Sequence, residues 1–559
     1  MSQRARHSGR GFTGSPYTRN RGNREALSVH QDTRPRRIRP NGRGFTNRPN
    51  TRNRGNLEDL SVHQFPRPQR IRQNAGTQGI FTPKRHLSNM IVSLLQPLSI
   101  VEDAGFQAFV DAIKQPGTLI PKETFSFRKD LLRMYNKTRQ KVEQSLALAH
   151  DIVLAAELWV ARAEESYLTV TCHVIDREWN LNSYVLETTK VLGEDTSVDI
   201  VKQLLGIAND WGIKEKIHTV VTNIDGSMRE EISRNGWTHI PCFAHTLNLV
   251  FKDTLMEDPV LEAMLRKCQK IVRFFHNDIE AEKKLKEAQL QQHLPHHGLI
   301  QSVGDGWFSC FHMLKRLAEQ YMAINTVLSQ RQEFDLCLNG SDITKASSAV
   351  AALQPFKDVT EEMSQRCKDI SNNQQYYLLS NSIPLVEELQ TKISKEQRGN
   401  DVANHLAKQC KIHFGDLKKS QRLVLTTALD PRFKNLILNV NDSESANHFL
   451  TKLLKDLKAI SSPLIVSSDV PNLVQLLKQY SEHSSIPEME NPLAWWRFEG
   501  SVKFKDLSRV ALRNLGVVST AIPLDRAFHE TDKMFYCRRS CLEPENINII
   551  LFLNSNYTP

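Results

Sequence analysis

Several side chains in this 559-residue chain have the type and spacing to do chemistry. The apolar run 217–222 ends in Asn223-Ile224-Asp225-Gly226. It reads as a buried strand whose last residues present polar groups at a glycine turn. After Pro241 comes Cys242-Phe243-Ala244-His245, which reads as a helix because Phe243, Leu247 and Val250 fall at helical spacing. A carboxylate delivered at a strand end, with a helix following, can hold a divalent metal. Glu157 closes a second apolar run, 151–159. Cys242 and His245 are spaced like half a zinc site, but no second half follows, so a packed core pair is expected and no metal site is assigned to them. Trp307 offers a ring for stacking on a base, with core packing as the alternative. His296-His297 reads as a solvated loop, and Lys283-Lys284 and Lys418-Lys419 as solvated helix charges.

Charge is distributed unevenly. Residues 1–80 hold 17 arginines, no lysine and four acids, a net +13, so the other 479 residues sum to −2. This arm is a tandem duplication at an offset of 33: Gly9-Arg10-Gly11-Phe12-Thr13 recurs as Gly42-Arg43-Gly44-Phe45-Thr46, and Leu27-Ser28-Val29-His30 as Leu60-Ser61-Val62-His63. Two Arg-, Asn-, Gly- and Pro-rich copies are too few and too polar to bury a core, so disorder is expected. Such an arm can bind nucleic acid by charge, with stacking from Phe12, Tyr17 and Phe45, or be a duplicated low-complexity segment without a role. No positive stripe is expected outside it. The nine cysteines form no CxxC pair, the N-terminus lacks the apolar segment of a signal peptide, and no run reaches the ~18 apolar residues of a membrane span. A reducing compartment with free thiols follows as the expectation.

The elements that must position these groups follow from periodicity. Residues 87–113 read as interrupted helix and 128–148 as a long helix. Residues 151–159 read as a strand. In 167–174 Leu168, Val170, Cys172 and Val174 alternate with polar neighbours, a second strand, and 183–186 is a third. Val198, Val201, Leu204, Leu205 and Ala208 mark an amphipathic helix before the strand at 217–222. From Leu261 to about 490 the pattern is mostly helical, and 491–555 adds Trp495-Trp496 and an apolar helix at 547–553.

The ordered motifs in this frame resemble those of hAT-superfamily transposases, in particular the domesticated zinc finger BED domain type, over roughly residues 85–555. Pro97-Leu98-Ser99-Ile100-Val101-Glu102 with Phe106 is similar to the family's entry motif. Leu168–Ile175 with Trp179 resembles its second strand, Cys242–Leu249 its CxxH segment, and Leu429-Asp430-Pro431-Arg432-Phe433-Lys434 its insertion-domain signature. Pro492–Trp496, Arg538-Arg539-Ser540-Cys541-Leu542 and Leu551-Phe552-Leu553 resemble its C-terminal dimerisation region.

The resemblance implies DNA cleavage by two metals held on two aspartates and a glutamate. At those positions the chain departs. Glu157 stands where the family has its first aspartate, Asn223 where it has its second, and Asp525, before Arg526, where it has its glutamate. A Glu for Asp moves the carboxylate by about a methylene where geometry tolerates ~0.5 Å. Asn223 offers a neutral oxygen for an anion; Asp225 is the nearby substitute. The family's Arg-Trp pair for DNA handling is Gly306-Trp307 here. Residues 1–171 contain no cysteine, so the BED finger is expected to be missing and the arm stands in its place.

The expectation is therefore an α/β RNase H-like core interrupted by a long all-α insertion, with a C-terminal helical dimerisation region and a disordered arm. The expected divisions are the arm (1–80), a helical lead-in (81–150), the core (151–285), the insertion (286–490) and the dimerisation region (491–559). The expected function is a domesticated, catalytically inactive, nuclear hAT-like protein that dimerises and associates with DNA or chromatin in transcription regulation. An active metal-dependent transposase and an arm-mediated RNA-binding protein stand as alternatives. Glu157, Asn223 and Asp525 are the degenerate catalytic positions, Trp307 the DNA-contacting residue, and Trp495, Trp496, Leu551, Phe552 and Leu553 the dimerisation residues. No cofactor is expected, with Mg2+ or Mn2+ entering only if the site is active. Partners are a second copy, DNA, RNA through the arm, and no membrane.

Overall fold

The computed structural model describes residues 83–558 except 115–117, 162–164, 194–195, 225–227, 303–305, 367–375, 439–469, 524–525, 527–534 and 536. The arm, with its expected disorder and missing finger, lies outside the described residues, and so do Asp225 and Asp525.

The chain opens with α1 (Pro83–Leu94), a 3-10 turn (Leu98–Glu102), α2 (Ala104–Ile113) and the long α3 (Thr124–Leu148). A five-stranded mixed sheet follows: β1 (Ile152–Val160), β2 (Ser166–Ile175), β3 (Leu181–Lys190), then α4 (Ser197–Asp210), β4 (Ile217–Thr222), α5 (Met228–Ser233) and β5 (Thr238–Pro241). The order is β3-β2-β1-β4-β5. β1, β2 and β3 pair antiparallel, and β4 and β5 add in parallel. The three strands, helix and further strand read from the sequence are all present. The third strand is longer than its apolar segment because β2 templates it from Leu181 to Lys190, past a bulge at Val170/Thr171. β5 escaped notice because it is four residues long and ends in Pro241, tolerated at a sheet edge.

Alternation along β1 splits the core into layers. Leu154 and Ala156, with Leu168, Val170, Cys172 and Val220, pack among residues of α1, α3, α4 and the C-terminal helix Pro544–Asn556. Val153 and Ala155, with Val221 and Ile240, pack among Tyr376–Leu379, Leu423–Leu429 and residues 493–518. The central sheet is thus covered on both faces, as its parallel half requires.

Beyond β5 come α6 (Phe243–Glu257), α7 (Pro259–Asn277), α8 (Ile279–Gln291), α9 (Trp307–Gln330), α10 (Gly340–Arg366), α11 (Ser382–Glu396), α12 (Asp401–Phe414) and α13 (Gln421–Leu429). α6 to α12 share a separate core from Cys242 to Phe414, while α13 packs against the sheet through Leu423, Leu425 and Leu429. The described residues form no strand there, only an isolated bridge between Leu378 and Val518. The segment 517–521 threads back to the sheet: Val517 O accepts from Leu379 N, Ser519 N donates to Tyr377 O, and Ser519 O accepts from Phe243 N. No described helix is long and apolar enough to cross a membrane.

Candidate active site

The parallel register pairs Ala156 with Thr222, so the next rung sets Glu157 beside Asn223. Two residues distant by 66 in sequence therefore meet. Neither is free to bind a metal.

Asn223 acts as a peptide in the ladder. Its Oδ1 accepts from Leu158 N at 2.8 Å and its Nδ2 donates to Leu158 O at 3.0 Å. β1 runs past the end of β4, and Leu158 would otherwise lose both backbone partners on that side. An amide matches a peptide group, donor to acceptor and acceptor to donor; a carboxylate cannot.

Glu157 is buried and gripped by Arg539. Nη2 donates to Oε1 at 2.8 Å and Nη1 to Oε2 at 3.1 Å, a two-pronged pair with both side chains almost wholly inside the protein. The Arg539 guanidinium lies 4.0 Å from the centre of the Trp159 ring and 5.3 Å from that of Phe535. Trp159 is itself held, by Nε1 donating to Thr169 Oγ1 at 3.0 Å and by stacking on Tyr167. Arg526 covers Phe535 at 4.1 Å. The described cation on Glu157 is thus the Arg539 guanidinium. A second, anionic donor beside Glu157 is what a divalent ion needs, and the described residues supply instead a cation and an amide with both polar atoms engaged. Glu157, Arg539 and Asn223 as arranged do not fit a two-metal centre, while Asp225 and Asp525 lie outside the described residues.

Cys242 borders this site. Its backbone N donates to Thr222 O at 2.7 Å and its Sγ accepts from Ala521 N at 3.2 Å. Burial raises its thiol pKa, and the nearby Glu157 adds to that. The thiol is a joint between β4 and the returning 517–521 segment. The packed-pair expectation holds for Cys242, while His245 is half-buried.

Other sequence-derived assignments need correction. Trp307 is fully buried at the start of α9, edge-on to Phe308 and tilted against Phe356. No ring face is open to a base, so core packing replaces the DNA-contacting role. Trp495 and Trp496 belong to this chain's own core: Trp496 Nε1 donates to Leu429 O at 2.9 Å, and Tyr480 and Phe504 surround the pair. Leu551, Phe552 and Leu553 are likewise internal, with Phe552 against Tyr135 and Trp211. All five side chains are buried within this chain, where the last helix and the Trp pair help cover the sheet. The Asp430-Pro431-Arg432-Phe433-Lys434 motif is structural too. Asp430 and Arg432 form a buried pair at 2.6 Å that also takes Ser380 Oγ, and Lys434 donates to Tyr480 O at 2.6 Å.

Comparison with known proteins accords with this geometry. The ZBED1 RNase-like domain matches residues 155–235, the ZBED1 RNase-like helical domain 240–351, and the hAT family C-terminal dimerisation region 476–557. The chain is a relative of the zinc finger BED proteins and carries the hAT dimerisation region. It is 25% identical over 514 residues to zinc finger BED domain-containing protein 4 of Homo sapiens, covering 84% of this chain and 43% of that protein. It is 26% identical over 372 residues to protein 6 of the same naming series in Mus musculus, covering 62% and 37%. With zinc finger BED domain-containing protein RICESLEEPER 3 of Oryza sativa subsp. japonica it shares 21% over 530 residues, covering 83% and 69%. The chain thus spans less than half the length of the first two.

Proposed function

We propose that this hAT-related chain is a non-catalytic nuclear protein that dimerises and associates with DNA, in transcription regulation. The observation that carries the reading is the Arg539 fork on Glu157. A guanidinium there satisfies the carboxylate that a metal would need, and Asn223 is committed to the β1 backbone. What remains useful is the scaffold. The test is nicking of supercoiled plasmid by the full chain with Mg2+ or Mn2+, beside duplex binding by the same preparation. Binding without nicking supports the reading. Metal-dependent nicking would move the active-transposase alternative ahead of it.

Dimerisation needs a surface other than the five buried residues. Within the matched dimerisation region Phe498 and Val502 stand 73% and 78% exposed, one helical turn apart. A large exposed apolar pair in such a region suits a second copy of the chain. Light scattering on the full chain is expected to give a dimer mass, and Phe498→Ser with Val502→Ser a monomer. A dimer that survives both changes would sink this choice of surface.

A further inference from the structure

α1 and α3 border an open groove of about 510 Å3, which the residues Tyr557 and Thr558 also line. Its charged lining is Arg85, Arg133, Lys137 and Lys141 against a single acid, Asp130. Asp130 is already shared between Lys84 at 2.8 Å and Arg133 at 3.3 Å. Lys137 and Lys141 are exposed and have no ion-pair partner among the described residues. Arg85 donates to Tyr557 Oη at 3.1 Å, so the C-terminal end of the chain fixes one wall.

Arg133, Lys137 and Lys141 follow one another at four-residue intervals on one face of α3. Like charges so placed repel one another along a helix. Elsewhere on the same helix Arg139 pairs with Glu143 at 2.8 Å and lies 4.5 Å over Trp211. The groove face is thus left with repulsion that an external anion would relieve. The three cations span about 12 Å of helix. That equals the axial length of three to four phosphates of one DNA strand. They spread along the groove and do not converge, which suits a backbone and not a single small anion. Lys84 and Arg85 also follow the Arg-rich residues 1–80 closely in the chain.

We infer that the groove between α1 and α3 is a track for the phosphodiester backbone of duplex DNA, with Arg85, Arg133, Lys137 and Lys141 as its contacts. This rests on the DNA-association reading above and gives it a site. Contacts of this kind hold and orient a duplex without reading its sequence.

The experiment is polarisation of a labelled duplex of about 20 base pairs, titrated with full-length chain at about 50 to 200 mM salt. The parent is compared with Arg133→Gln/Lys137→Gln/Lys141→Gln. A control, Lys283→Gln/Lys286→Gln/Lys419→Gln, removes three exposed charges elsewhere. At about 0.9 per phosphate contact, the groove variant is expected to lower the slope of log K against log salt by about 2.7, with a ~10- to 100-fold weaker affinity. The control should leave the slope within ~0.5 of the parent. Equal slopes for groove variant and control would overturn the groove while leaving DNA association standing. No duplex binding by the parent would overturn both. Preferential binding of a single-stranded RNA, lost in the groove variant, would overturn duplex DNA as the occupant.

Discussion

Removing Arg539 tests the physical core of this account. Arg539→Ala strips both hydrogen bonds from a carboxylate that has almost no access to water. Unit charges about 4 Å apart attract by about 4 kcal/mol at an effective dielectric of 20. Contact with the Trp159 face, 4.0 Å away, adds about 1–2 kcal/mol. Against this stands the desolvation of the guanidinium itself, which the variant no longer bears. Breaking one side of a buried pair leaves the other charge uncompensated, and a net loss of about 3–5 kcal/mol is expected. Urea unfolding of the full chain, followed by tryptophan fluorescence, reads this as a lower midpoint at similar slope. Glu157→Leu with Arg539→Met should recover most of it, because a buried pair replaced by apolar side chains of similar size is often neutral. The cycle should give a coupling above ~2 kcal/mol. A loss below ~1 kcal/mol in Arg539→Ala would refute the reasoning, since that is what an exposed pair gives. Glu157→Asp should also destabilise: a carboxylate about one methylene shorter cannot keep both prongs.

Asn223→Asp, which restores an acid, is expected to cost about 1–3 kcal/mol above pH 5, because it loses the donor to Leu158 O and sets an anion against that carbonyl; an unchanged unfolding midpoint would show the amide clamp to be dispensable. Gly500→Ala should destabilise although alanine favours a helix by about 1 kcal/mol, since a Cβ would come within 2.5 Å of the Trp496 ring and 2.6 Å of Trp495; a stabilised variant would mean that the Trp pair moves easily. Burial lowers the pKa of His239 to about 4 and of His173 to about 3, so both stay neutral when folded. The unfolded chain then binds more protons below pH 6.5, and stability is fully present above 6.5 and declines as pH falls towards 4 and 3. His239→Asn with His173→Asn should flatten that decline in a pH series of melting temperatures, and an unflattened series would place the acid sensitivity elsewhere.

Much of the sheet was legible because its strands are apolar runs with period two. Leu168, Val170, Cys172 and Val174 do share a core face, and the strand 217–222 has the limits its sequence suggests. The site was half legible. Strand ends pointed to Glu157 and Asn223, but nothing local announces Arg539, which comes from 382 residues away. Its one sequence signal is a pair of arginines, Arg538-Arg539, in an apolar C-terminal segment. Trp307, Trp495 and Trp496 misled because a large aromatic ring looks alike in sequence whether it faces a partner or a core. No positive stripe was expected outside the arm, because Arg133, Lys137 and Lys141 stand four residues apart among other charged residues. Only the packing of α3 beside Arg85 and Tyr557 makes them a surface.

The most direct test of the proposed loss of the metal centre is a calorimetric titration of Mn2+ into the full chain, with Asp225→Ala and Asp525→Ala variants alongside. The account predicts no saturable binding at the Glu157 site in any of the three. Stoichiometric binding by the parent, lost in either variant, would contradict it: the carboxylates at 157, 225 and 525 would then form a working metal centre despite Arg539.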